Sequence, residues 1–155
     1  MKKILVAVMI SLLVVVSFAY TEAKTQKGTR DEAVAMVKKA VALYKAEGRM
    51  AAFEKINDPK GKFVKGDLYI WVVDTDANAL CLARPVFNQL IGMELIDFQD
   101  VNGRYFMKEA VNTAKTEGKG WVDYTWANPI TKKQESKSTY FECVKNLCFF
   151  CGYYK

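Results

Sequence analysis

A chain of 155 residues, 51% hydrophobic and 26% charged, has the length and balance of a single globular domain and not of a disordered or collagen-like chain. It contains no histidine, which excludes Ser-His and Cys-His nucleophile pairs, His-ligated zinc or haem, and an imidazole pH switch. The formal charge of +6 suggests anionic partners at first sight, but it does not survive a reading of the N-terminus.

Met1–Ala19 reads as a secretory leader: Lys2 and Lys3, an apolar run from Ile4 to Val16 broken only by Ser11, then the small residues Ser17 and Ala19. The run is short for a membrane span, which needs about 20 residues. An uncleaved anchor is the alternative, and Ala23 offers a second cleavage position. Loss of Lys2 and Lys3 leaves 21 basic against 17 acidic residues, a charge of +4 with no long cationic stretch. Nucleic acid is therefore not an expected partner.

The mature part opens with Thr29-Arg30-Asp31-Glu32, a capping box. Val34, Val37, Val41 and Tyr44 follow at helical spacing, which predicts a helix over about 29–47, closed by Gly48. A shorter helical stretch, Arg49–Ile56, ends at Asn57-Asp58-Pro59. From Gly66 the period becomes two. Leu68–Val73 and Leu80–Ala83 read as paired strands around a turn in which Asn78 takes positive φ. Pro85 ends the second strand, and residues 86–102 form a connector. Tyr105–Lys115 is a helix closed by Gly118, and three strands follow at Trp121–Trp126, Glu135–Val144 and Leu147–Tyr153. The sum is an α+β layout: a long helix, then a five-stranded antiparallel sheet with one inserted helix.

Several segments together resemble one family. They are Ala51-Ala52-Phe53 with Ile56-Asn57-Asp58, Gly66 through Asp74, Leu82-Ala83-Arg84-Pro85, Ile91-Gly92 and Asp100 through Gly103. The clearest are Gly118 through Pro129, Lys137 through Tyr140, and Cys151-Gly152-Tyr153-Tyr154. In this order and spacing they resemble the single Cache domain of the second type. The resemblance implies a PAS-like five-stranded sheet over about 63–155 behind a long N-terminal helix, with residues 20–155 as one domain. It implies an extracytoplasmic sensory module for small organic ligands, of the kind that drives chemotaxis or kinase output in receptors. No second span or signalling region follows Lys155, so a stand-alone periplasmic or secreted module is expected, signalling through a membrane sensor protein. Many members of the family carry histidine where Arg84 stands here. Arginine would give a permanent anion contact in place of a titratable one.

Candidate ligand-binding residues are Arg84, Tyr124, Trp126, Lys137 and Tyr140. Tyr124 and Trp126 share one face of their strand, as do Tyr69 and Trp71, which are read as core aromatics. Arg84 or Lys137 could meet a carboxylate, Tyr124 orient it, and Trp126 cover its apolar or cationic part. Lys137 and Tyr140 are an odd number of residues apart, so a regular strand places them on opposite faces, and Tyr140 is the weaker member. A small organic anion or an amine both remain open as ligands. A ligand-free interaction protein docking through the Arg30–Glu47 helix is the alternative function. No enzyme is expected: Asp74 and Asp76 sit in a turn, where aspartate serves the backbone.

The four cysteines divide by position. If Lys145-Asn146 is a two-residue turn, Cys143 lies opposite Cys148 in a non-hydrogen-bonded pair, with Cα atoms about 4.5 Å apart. That spacing suits a disulfide. Cys81 and Cys151 should be separated by the first sheet strand and stay as buried thiols or pair with another chain. Cys148-Phe149-Phe150-Cys151 in a strand lacks the helix N-terminus of a redox pair. It also lacks the histidine of a haem attachment site, since Gly152 follows. No metal or other cofactor is expected.

Overall fold

A computed structural model describes residues 27–155, and the leader expected at Met1–Ala19 lies outside the described residues. The capping box forms as read. Thr29 Oγ1 accepts from the Glu32 N–H at 3.3 Å, and Glu32 accepts from the Thr29 N–H at 3.0 Å. Helix α1 spans Arg30–Asn57 and includes both helical stretches read from the sequence. They meet at Gly48, whose φ of 80° and ψ of 177° break the helical path. The inward stripe is Ala33, Met36, Val37, Ala40 and Val41.

Six strands follow: β1 (Val64–Lys65), β2 (Leu68–Asp74), β3 (Leu80–Ala83), β4 (Lys119–Ala127), β5 (Gln134–Val144) and β6 (Leu147–Tyr154). Helix α2 (Phe106–Glu117) lies between β3 and β4 and ends at Gly118, which has a φ of 70°. The order across the sheet is β2-β6-β5-β4, all antiparallel, with β1 and β3 sharing the outer edge of β2. This is the expected PAS-like arrangement with one correction, a sixth strand. Val64–Lys65 turns through Gly66 onto Leu68 and Tyr69, and two residues are too few to leave a period-two signal.

The sheet separates two cores. On one face α1 packs over Leu68, Ile70, Val72, Phe149 and Cys151. On the other, Tyr69, Trp71, Val73, Phe141 and Phe150 meet α2 through Phe106, Met107, Ala110 and Val111. Among the described residues no helix is long and apolar enough to cross a membrane.

The β5–β6 hairpin pairs Val144 with Leu147 and Cys143 with Cys148 around Lys145, whose φ is 55°. Cys143 and Cys148 form the disulfide read from that register, with Cα atoms 4.0 Å apart. Cys81 and Cys151 are free and fully buried, on opposite faces with β2 between them. Burial pushes the Cys151 thiol up to about 12 and raises that of Cys81, so both stay protonated and unreactive. Maleimide should therefore label two thiols only after unfolding. Replacing Cys143 and Cys148 together by serine should lower stability by about 2 kcal/mol in a denaturant titration, since the closed loop is short.

Candidate functional site

Alternation along four strands sends a set of large polar side chains to the α2 face. Tyr69 and Trp71 come from β2, Tyr124 and Trp126 from β4, Lys137 and Thr139 from β5, and Tyr154 from β6. Over them runs the connector from Arg84 to Arg104, which includes one 3₁₀ turn at Asn88–Leu90. Asp100 fastens its far end. One carboxylate oxygen accepts from the Asn102 and Arg104 N–H groups, each at 2.9 Å, and the other accepts from the Thr125 N–H on the edge of β4, also at 2.9 Å. Burial alone would raise the Asp100 carboxyl, but these three donors hold it below the usual range.

Arg84 stands where β3 ends and the connector begins. Its backbone N–H donates to Asn57 Oδ1 at 2.7 Å, which ties this point to the end of α1. Arg84 as a whole is 3% exposed. Its guanidinium carbon lies 5.0 Å from the centroid of the Trp71 ring, 5.5 Å from Tyr69, 5.6 Å from Phe87 and 5.7 Å from Trp126. Nε donates to the Val86 carbonyl at 2.9 Å, and Nη2 to the Tyr69 hydroxyl at 3.3 Å.

Lys137 is fully buried, and its Nζ donates to the same Tyr69 hydroxyl at 2.9 Å and to the Tyr154 hydroxyl at 3.3 Å. Tyr154 donates in turn to the Ala127 carbonyl at 2.7 Å. The lysine stem crosses β6 at Gly152, where a Cβ would lie 2.5 Å from Lys137 Cε and 2.2 Å from Thr139 Oγ1. Only glycine leaves that space.

Two cations thus meet on one phenol oxygen, with Lys137 Nζ and Arg84 Nη2 no more than 6.2 Å apart. None of the ion pairs among the described residues includes either of them. The indole N–H groups of Trp71 and Trp126 are also buried, with no acceptor. Buried charges are ordinarily paired, because desolvation without a partner costs several kcal/mol per ion. The local chemistry is therefore donor-rich and cationic, and an anion would complete it. Burial pulls the Lys137 ammonium below the ordinary lysine range. Burial pushes the Tyr69 phenol up, but Lys137 and Arg84 outweigh it and hold the hydroxyl below its ordinary value.

The structure brings together Arg84, Tyr124, Trp126 and Lys137. Tyr124 stacks on Phe106 with ring centroids 4.1 Å apart, and its hydroxyl accepts from Thr139 Oγ1 at 3.0 Å. Burial, reinforced by Tyr69, raises its pKa. Tyr140 is a correction: the strand is regular, so it faces α1 and packs against Trp121 at 5.3 Å, away from the other four. Sequence reasoning passed over Tyr69, Trp71, Phe87 and Tyr154. The shared parity of Tyr69 and Trp71, combined with the PAS-like strand order, could have placed them opposite Tyr124 and Trp126.

The chain is thus a PAS-like antiparallel sheet with a polar box under its connector. The sequence profile of Single Cache domain 2 matches residues 3–147, and the chain belongs to that family. Solved structures share the fold. One is the periplasmic sensor domain of a chemotaxis protein (24% identity, TM-score 0.61, covering 80% of this chain and 88% of that one). Another is a methyl-accepting chemotaxis protein from Vibrio parahaemolyticus (20%, TM-score 0.64, covering 78% and 82%). A third is a Cache chemosensory domain described as recognising carboxylic acids (20%, TM-score 0.61, covering 80% and 86%).

The contact at Gly152 yields a direct check. Gly152→Ala should push the Lys137 stem off β6 and lower stability by about 1–3 kcal/mol, the range for overpacking a core. The loss should be smaller in a Lys137→Ala background, as a double-mutant cycle of thermal unfolding would read.

Proposed function

We propose that this chain is an exported sensory module that binds a small organic carboxylate. The observation that carries the reading is the pair of buried cations, Arg84 and Lys137, which share a hydroxyl and have no acidic partner among the described residues. In this reading the carboxylate takes the guanidinium and ammonium as charge-assisted donors, and the indole N–H groups of Trp71 and Trp126 supply further donors. Tyr69 holds the two cations in place, and Tyr124 and Phe106 form the apolar wall. An amine, left open by the sequence, would add a third cation to this box. Membership in a sensory family supports binding over catalysis, and the carboxylic-acid description of one neighbour supports the ligand class. We further propose that the leader over residues 1–19 is removed on export, leaving residues 20–155 as a periplasmic or secreted domain. Its signal would then pass to a membrane sensor protein.

Thermal unfolding in acetate, propionate and pyruvate, with acetamide and ethylamine as controls, tests the ligand class. The acids should raise Tm and the controls should not. Arg84→Met and Lys137→Met should each weaken the acid at least about tenfold by calorimetry, since a hydrogen bond to a charged group contributes about 1.5–3 kcal/mol. A shift with the amine and none with the acids would reject the reading.

The pH dependence has opposite signs for stability and for binding. Burial lowers Lys137 and the two cations lower Tyr69, so the unfolded chain holds both protons more tightly than the folded one. The contribution of Lys137 and Tyr69 to the stability of the free protein should therefore rise with pH toward the ordinary phenol and lysine values near about 10. It is read as the difference from Lys137→Met, because Cys81, Cys151, Tyr124 and Tyr154, raised by burial, act with the opposite sign over the alkaline range. Carboxylate affinity should fall over the same interval, because loss of either proton removes positive charge from the box. Chemical denaturation and calorimetry in a common buffer series would read the two slopes.

A further inference from the structure

We propose that the site extends outward into an apolar cleft beside the buried box, and that it selects carboxylates with an alkyl or aryl tail over acetate-sized ones. The proposal rests on the carboxylate reading above and adds the ligand's second half.

Around Arg84 the walls close so tightly that no space for a water-sized sphere remains among Trp71, Leu95, Phe106, Tyr124 and Trp126. Directly outside lies an open cleft of about 240 Å³, between the connector and the edge of β4. Small-ligand pockets begin at about 300 Å³, so the cleft suits part of a ligand and not a whole one. Its lining includes Phe87, Val101, Trp126 and Ala127. Val101 is 64% exposed, one of the large apolar side chains left open to solvent.

Two rings form the partition between box and cleft. Trp126 lines both. Phe87 lines the cleft on one side and lies 5.6 Å from the Arg84 guanidinium on the other. It meets the Tyr69 and Trp126 rings edge-on at 6.2 and 6.4 Å. Phe87 has a φ of 57° and a ψ of 45°, a left-handed conformation that a bulky aromatic residue rarely adopts. Strain of this kind is relieved when the segment moves. Rotation of Phe87 would open Arg84 onto the cleft. A carboxylate head would then sit on the guanidinium, with its tail along Trp126 toward Val101.

Calorimetry on the whole domain with acetate, butyrate, hexanoate and phenylacetate tests this. Affinity should rise with length, about fourfold for each methylene buried. Val101→Asp, a surface change, should cut the hexanoate-to-acetate affinity ratio tenfold or more. Phe87→Gly, which accepts the left-handed backbone and removes the ring, should speed association of hexanoate and phenylacetate in stopped-flow tryptophan fluorescence. Affinity that is flat or falls from acetate to hexanoate would overturn the tail site while leaving the carboxylate reading intact. A length dependence that Val101→Asp does not alter would place the tail elsewhere and overturn the cleft. Failure of every acid to bind, acetate included, would overturn both readings.

Discussion

The Tyr69 hydroxyl accepts from two buried cations at once, and much of the functional face is arranged to make that possible. Neither Arg84 nor Lys137 has a carboxylate partner among the described residues, so the desolvation of both charges must be offset in other ways. Ring faces contribute: Arg84 lies within 6 Å of four aromatic centroids, and Lys137 lies 4.1 Å from Tyr69 and 4.6 Å from Tyr154. Hydroxyls and carbonyls contribute the remainder through Tyr154, Ala127 and Val86. These contacts disperse positive charge without cancelling it. In the proposed reading, a bound anion would cancel the charge that these contacts leave.

Register is what keeps Lys137 in place. It lies six residues before Cys143 on β5, and Tyr154 lies six after Cys148 on β6, so all four share one face of the hairpin. A slip by one residue would carry Lys137 to the α1 side, into an apolar core. The Cys143–Cys148 bond at the turn fixes the pairing that sets Lys137 opposite Tyr154 at the far end. The sheet therefore divides its labour between faces. The α1 face is ordinary packing, and the α2 face gives up part of its packing to polar groups.

Most of the fold was legible because its signals are local. The capping box, the left-handed residue after α2 and the two-residue turn at Lys145 each depend on a few neighbouring residues. Parity was legible too: the odd spacing of Lys137 and Tyr140 sets them on opposite faces of β5. What was not legible depends on neighbours distant in sequence. Tyr69 reads as a core aromatic until Lys137, 68 residues away, is set against its hydroxyl. Phe87 sits in a polar-punctuated connector, and nothing in its neighbours announces a positive φ. Gly152 looks like a strand glycine until the Lys137 stem is found lying across it.

The absence of histidine gains meaning from this geometry. An imidazole in place of Arg84 would leave that position cationic only on the acid side of neutrality, and would tie its part of any anion contact to pH where cells live. A guanidinium stays charged throughout that range. The protons that can leave belong to Lys137 and Tyr69. The forces acting on them, burial of an ammonium and two cations beside a phenol, move both downward from the alkaline range. Both groups are thus drawn below their ordinary values, and in the proposed reading the remaining anion contact is a guanidinium. In the proposed reading, the contact at Arg84 does not wait on an imidazole proton, and what pH dependence there is comes from Lys137 and Tyr69.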